Sequence, residues 1–207
     1  MIPLPKVERE MGGESIPIII LAAGSSSRLG ESKQLLNVNG KPLLRKIVEE
    51  GIESRVGPLI VVLGFEPERH EAILADLPVH VVINTNWQNG MGSSIKTGLR
   101  FIEKRFPHAK GTLVSVCDQP HLTSLQFIAL SGKFASINCS LVASRYSNTF
   151  GVPALFNRTL FPEIHLLKDN EGAKKIILSH SNEASYIDFP EGVIDLDTPA
   201  DVKTFKK

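Results

Sequence analysis

A chain of 207 residues, 42% hydrophobic and 22% charged, is long enough to bury one sizeable core, so a single domain is expected. Its formal net charge of +1, with lysines and arginines scattered along the chain, argues against the basic field of a nucleic-acid binder. Two cysteines, Cys117 and Cys139, make neither a disulfide framework nor a zinc motif, a usage that points to the cytoplasm.

In chain order, residues 1–15 carry Pro3, Pro5, Gly12 and Gly13 with no apolar period and read as a flexible N-terminal arm before a domain spanning 16–207. The longest apolar run, Ile16 to Ala23, is interrupted by Pro17, is far too short to span a bilayer and follows an acidic flank. It reads as a buried strand, and no membrane partner is expected.

The strand runs into a loop of small residues holding two cations, Arg28 and Lys33. Gly24 and Gly30 let the backbone turn and bring bare N–H groups to an anion, and Ser25, Ser26 and Ser27 add small donors that leave room for phosphate. The two glycines enclose five residues and are followed by Glu31, which fits neither a Walker A loop nor a G-x-G-x-x-G fingerprint. The pattern is that of a triphosphate cradle of another kind.

Asn39-Gly40 then marks a turn, Pro42 suits a first helical position, and Leu44, Ile47, Val48, Gly51 and Ile52 share one helical face. Leu59–Leu63 predicts a second strand, Pro67–Leu74 a short helix and Val79–Ile83 a third strand. A polar stretch from Asn84 to Ser94, with Ser93 placed to cap, opens a helix that has Ile95, Leu99, Ile102 and Phe106 on one side. Gly111–Cys117 is a fourth strand and delivers Asp118 to its carboxyl end. There a carboxylate beside a triphosphate can hold Mg²⁺, although an Asx turn into Pro120 also accounts for it.

Leu122, Thr123, Gln126 and Phe127 form a capping box inside a hydrophobic staple, which predicts a helix from Thr123 to about Phe134. The alternation of strands and helices implies an α/β domain, a mostly parallel sheet with helices on both faces. The last third is less regular. Leu141–Ser144 and Val152–Phe156 read as strands, Glu171–Ser179 as a helix, and Thr198, Pro199 and Asp201 cap a final one. That cap leaves Asp195 and Asp197 without a local explanation. The histidines show no metal spacing.

The run Leu21-Ala22-Ala23-Gly24-x-Ser26-x-Arg28-Leu29-Gly30-x-x-Lys33-x-Leu35-Leu36, followed by Gly40-x-Pro42-Leu43-Leu44, resembles the signature of the MobA-like NTP transferase family, which includes the molybdenum cofactor nucleotidyltransferases. The likeness covers nearly everything from residue 16 onward and is nearest the molybdenum cofactor cytidylyltransferase branch. It implies a Rossmann-like nucleotidyltransferase fold that transfers CMP from CTP to the phosphate of molybdopterin and releases pyrophosphate, with a molybdoenzyme or chaperone as protein partner.

By the same resemblance Leu21, Ala22, Ala23, Gly24, Ser25, Ser26, Arg28 and Lys33 bind the nucleotide, and Arg28, Lys33 and Asp118 are catalytic. Asp195-Leu196-Asp197-Thr198-Pro199-Ala200-Asp201 is similar to the family's Asp-Ile-Asp-Thr-Pro-Glu-Asp, which makes Asp197 a second Mg²⁺ ligand beside Asp118. The Asn84 to Ser94 segment resembles the one that the cytidylyl branch places near the base, with Gly90 and Gly92 permitting close approach and Ser94 or neighbouring backbone groups bonding the base edge. Ala23, where GTP-using relatives show a second glycine, agrees with CTP. Two segments depart from the family: Asp169-Asn170-Glu171-Gly172-Ala173-Lys174 stands for Gly-Asp-x-Gly-Ala-Arg, and Gly151-Val152-Pro153 for Gly-His-Pro. In relatives both lie toward the acceptor. Transfer to another phosphorylated small molecule, or non-catalytic binding of a nucleotide or pterin cofactor, is the alternative reading.

Overall fold

The computed structural model describes residues 15–137, 139–147 and 149–205, so the expected N-terminal arm, Ser15 apart, lies outside the described residues. Strand β1 (Ile18–Ala22) is apolar throughout because both of its faces are covered. Ile18, Ile20 and Ala22 enter one core and Ile19 and Leu21 the other, the period-two split of a strand buried on both sides.

After the serine loop a two-stranded ladder, β2 (Asn37–Val38) and β3 (Lys41–Pro42), turns at Asn39-Gly40, where the Gly40 N–H donates to Asn37 Oδ1 at 2.8 Å. Helix α1 (Leu43–Ser54) starts one residue later than Pro42 suggested. The proline is still extended at ψ 136° and pairs with Asn37, so it precedes the helix. Strand β4 (Leu59–Leu63), the short α2 (Pro67–Ala72) and β5 (His80–Ile83) follow closely the predicted places.

Helix α3 (Met91–Arg105) begins ahead of its expected cap. Gly90, at φ 121°, takes the capping position, while the Ser93 hydroxyl donates back to the carbonyls of Gly90 (2.8 Å) and Asn86 (3.0 Å). Strand β6 (Gly111–Val116) leads to α4 (Ser124–Ser136), and the staple forms as expected, Leu122 and Phe127 both being fully buried. The capping box does not. Thr123 Oγ1 bonds Gln126 Oε1, and the free Ser124 N–H is taken by Glu50 Oε2 of α1 at 2.8 Å.

The last third holds β7 (Leu141–Tyr146), β8 (Thr149–Asn157), α5 (Phe161–His165), α6 (Lys174–Ser179), β9 (Ser185–Asp188) and α7 (Pro199–Phe205). The described residues form a seven-stranded sheet in the order β5-β4-β1-β6-β8-β7-β9. It is parallel from β5 to β6 and again between β7 and β9, while β8 lies antiparallel to both of its neighbours. A strictly alternating βα reading cannot supply that reversal, because only two residues separate β7 from β8, which leaves no room for a crossover helix.

Helices α1 and α4 cover one face of the sheet, and α3, α5 and α6 the other. The change of face between α1, which follows β1, and α3, which precedes β6, opens a crevice beyond Ala22 and Val116. No described helix is long and apolar enough to cross a membrane.

Candidate functional site

The crevice is a cleft of about 330 Å³ at the carboxyl ends of β1 and β6. Leu21 to Ser26, Arg28, Lys33, Gly90, Ser94, Asp118 and Asp197, the residues singled out from the sequence, all line it.

The serine loop is built around two left-handed residues, Ser26 at φ 55° and Gly30 at φ 80°, with the Ser26 carbonyl accepting the N–H groups of Leu29 and Gly30. Apart from its two chain neighbours, no described residue comes within 4 Å of where a Gly24 side chain would begin, so that stretch of backbone faces open space. The residue that holds the loop down carries no motif signal of its own in the sequence. Gln34, 1% exposed, donates from Nε2 to the carbonyls of Ala22 (3.0 Å) and Gly24 (2.8 Å), and its Oε1 receives the hydroxyls of Ser26 (3.2 Å) and Ser32 (2.9 Å). Ser26 Oγ in turn accepts the Lys33 N–H at 3.1 Å.

Lys33, placed by this turn, puts Nζ 2.8 Å from Asp118 Oδ2 and 2.5 Å from Asp197 Oδ1. Burial works against its charge. The field of Asp118, reinforced by hydrogen bonds to both carboxylates, outweighs burial and holds Lys33 above the usual lysine range. Arg28 pairs with Asp197 at 2.7 Å, and its side chain is 73% exposed. It is a loosely tethered cation at the mouth of the cleft.

Asp197 reaches Asp118 across the chain because Leu196 is anchored between them in sequence. Its side chain is 1% exposed in the core and its N–H donates to the Asp118 carbonyl at 3.0 Å. Gln119 Nε2 adds a bond to the Gly192 carbonyl at 2.9 Å that pins the same segment. Burial pushes the Asp197 carboxyl up, but Lys33 and Arg28 together hold it below its ordinary value. Asp195 is pushed up to about 7, first by partial burial and then by the charges of Asp118 and Asp197. It stays exposed at the surface, so solvent tempers that push.

Among the described residues no three His, Cys, Asp or Glu side chains gather as a metal cage. Two carboxylates converging on one point suit a cation such as Mg²⁺, which takes few protein ligands and fills its shell with water and phosphate oxygens. Cys117 lies beside them, buried, with its thiol pushed up to about 12 by burial and then by Asp118. We therefore expect Cys117 in the folded protein to resist a disulfide reagent at pH 8 and to react fully only after denaturation, since almost none of it is thiolate. Rapid modification of both cysteines, counted by mass spectrometry, would contradict this.

On the other side of the cleft, buried Asn84 donates from Nδ2 to Ser93 Oγ (2.8 Å) and Ser94 Oγ (2.9 Å), fixing the first turn of α3. Trp87, half-buried, lines the cleft and meets Phe65 edge-on at 5.6 Å. The close approach expected at Gly90 and Gly92 exists, but the partner is the chain itself. A Gly92 side chain would start 2.3 Å from the Lys168 carbonyl, and the Gly92 N–H donates to the Asp169 carbonyl at 2.8 Å. Asp169 also pairs with Lys96 (2.7 Å) and accepts from Asn89 Nδ2 (3.1 Å), so the first divergent segment buttresses this wall of the cleft. Gly92→Ala should destabilise the fold by about 1–3 kcal/mol, the cost of overpacking against backbone that cannot yield, measured as a shift in denaturant midpoint. In the second divergent segment, Gly151 leaves room for the Tyr146 hydroxyl, which would sit 1.9 Å from any side chain there.

Comparison with known proteins matches residues 18–184 to the MobA-like NTP transferase domain. The purine catabolism protein PucB of Bacillus subtilis is 29% identical over 170 residues, covering 78% of this chain and 80% of that protein. A probable molybdenum cofactor guanylyltransferase of Bacillus cytotoxicus is 23% identical over 82% of each chain. Among solved structures, Rv0371c of Mycobacterium tuberculosis superposes with a TM-score of 0.76 at 25% identity, covering 93% of this chain and 99% of that one. The same protein has a crystal structure as a complex with manganese.

Proposed function

The chain belongs to the MobA-like NTP transferase family, and from that membership we propose that it transfers CMP from CTP to the phosphate of a molybdopterin-type acceptor. The observation that carries the reading is the meeting of Lys33, Asp118 and Asp197 directly below the serine loop, with the exposed Arg28 paired to Asp197 at its mouth.

An acceptor phosphate is ionised at neutral pH and needs no general base. Its oxygen forms a bond to the α-phosphorus as the bond from that phosphorus to the bridging β-oxygen breaks, and pyrophosphate leaves with the electron pair. The chain's task is positioning and charge neutralisation. The loop amides from Gly24 to Ser27 face the triphosphate, Lys33 and Arg28 meet charge building on the α- and leaving phosphates, and burial beneath the loop keeps Lys33 in place. Asp118 and Asp197 would hold Mg²⁺, which supplies Lewis-acid polarisation of the phosphate oxygens.

CTP is favoured because Ala23 stands where GTP-using relatives show a glycine, and Ser94 lies in the wall of the cleft where the base would sit. Its Oγ accepts from Asn84, which leaves its proton for an acceptor such as cytosine O2 or N3. The guanylyltransferase relative makes GTP the competitor to test. With Mg²⁺ present, CTP should bind more tightly than GTP, ATP or UTP by calorimetry, and should support faster pyrophosphate release with a molybdopterin acceptor. Tighter binding and faster turnover with GTP would overturn the base assignment and leave the phosphate site standing.

A further inference from the structure

His70 lies outside the cleft, yet it is completely buried and its Nε2 is 2.7 Å from Ser32 Oγ. Gln34 spends its amide N–H groups on the Ala22 and Gly24 carbonyls, so its Oε1 faces the hydroxyls of Ser26 and Ser32. Ser32 Oγ thereby bridges Gln34 Oε1, at 2.9 Å, and His70 Nε2. The other ring nitrogen, Nδ1, is a buried atom without a hydrogen-bond partner among the described residues. Burial and then Arg69 push His70 down, against Glu66 and the Phe65 carbonyl, which keeps the ring neutral in this role.

The segment that carries His70 is itself tied to both walls of the cleft. The Phe65 N–H donates to the Ala23 carbonyl at 3.0 Å, and a Gly64 side chain would begin 2.5 Å from Trp87 Cβ.

We propose that His70 is a positioning residue for the phosphate-binding loop, acting through a hydrogen-bonded chain that links His70 Nε2 to Ser32, Ser32 to Gln34, and Gln34 to the Ala22 and Gly24 carbonyls. The proposal rests on the nucleotide reading above. Released from His70, the stretch from Ser25 to Lys33 keeps its internal turn and loses its tether to α2.

The test uses the full chain with His70→Leu, His70→Gln and Ser32→Ala, titrated calorimetrically with Mg·CTP and with Mg·tripolyphosphate, which has no base. His70→Leu removes the ring partner of Ser32 together with the orphaned nitrogen. The melting temperature should stay level or rise, while both probes weaken by the same factor, about five- to tenfold, and amide exchange across residues 24–36 quickens. Glutamine offers Ser32 either a donor or an acceptor, so His70→Gln should restore affinity and protection. If His70→Leu does not fold, Ser32→Ala cuts the same chain from the loop side.

Unchanged affinity in His70→Leu overturns the proposal. So does a loss confined to CTP, or a loss that His70→Gln fails to restore. If the native chain binds neither probe, the nucleotide reading fails instead, and the exchange comparison still decides whether His70 orders the loop.

Discussion

Asp118→Asn is expected to fold as the native chain does and to lose about 10³-fold or more in kcat for pyrophosphate release. Asparagine keeps the size of the side chain and removes the charge on which Lys33 Nζ closes at 2.8 Å. The backbone role of the residue survives, because it is the main-chain carbonyl of Asp118 that accepts from Leu196. Asp197 therefore stays in place, but a divalent cation loses one of its two carboxylates and Lys33 the stronger of its electrostatic partners. Binding of CTP in the absence of metal should change little. Turnover within a few fold of the native rate, in protein with an unaltered melting curve, would remove Asp118 from the chemistry.

Lys33→Met should cost both activity and stability, and the two costs have different signatures. Loss of a preorganised cation facing the α- and leaving phosphates predicts a drop of about 10²–10³ in kcat. In the folded protein Asp118 and Asp197 then face each other, with Asp195 near, without the ammonium that holds them together. Two charge-assisted contacts of partly exposed carboxylates set the loss at about 1–3 kcal/mol. Mg²⁺ should recover it, so that added Mg²⁺ raises the melting temperature more in Lys33→Met than in the native chain. Arg28→Ala is the control for the stability arm, since an exposed pair contributes about 0–1 kcal/mol. Equal Mg²⁺ responses in Lys33→Met and native protein would show that the two carboxylates do not form a cation site.

Much of this architecture was legible before any coordinates. The buried strands β1, β4 and β6 announce themselves as apolar runs because a parallel strand is covered on both faces, and the loop after β1 is conspicuous because few other uses combine small donors, glycines and two cations. Asp118 could be placed at the sheet's carboxyl edge because the strand before it is unmistakable. The antiparallel β8 and the edge strand β9 were not legible in the same way. Direction in a sheet is decided by what the strand pairs with, and β9, only partly buried, carries little apolar signal.

The sequence by itself determined the residue types of the site and the order in which strands deliver them. Tertiary structure alone decided which of them meet. Asp118 and Asp197 are 79 positions apart and become neighbours through the burial of Leu196 and one main-chain bond. Gly90 and Gly92 read as room for a ligand and are packed against residues 168–171, because a glycine in sequence states that something comes close without stating what. Gln34 and His70 were silent for the same reason. A buried polar side chain gains its meaning from the donors and acceptors around it, and those arrive from β1, the serine loop and α2 only when the chain has folded.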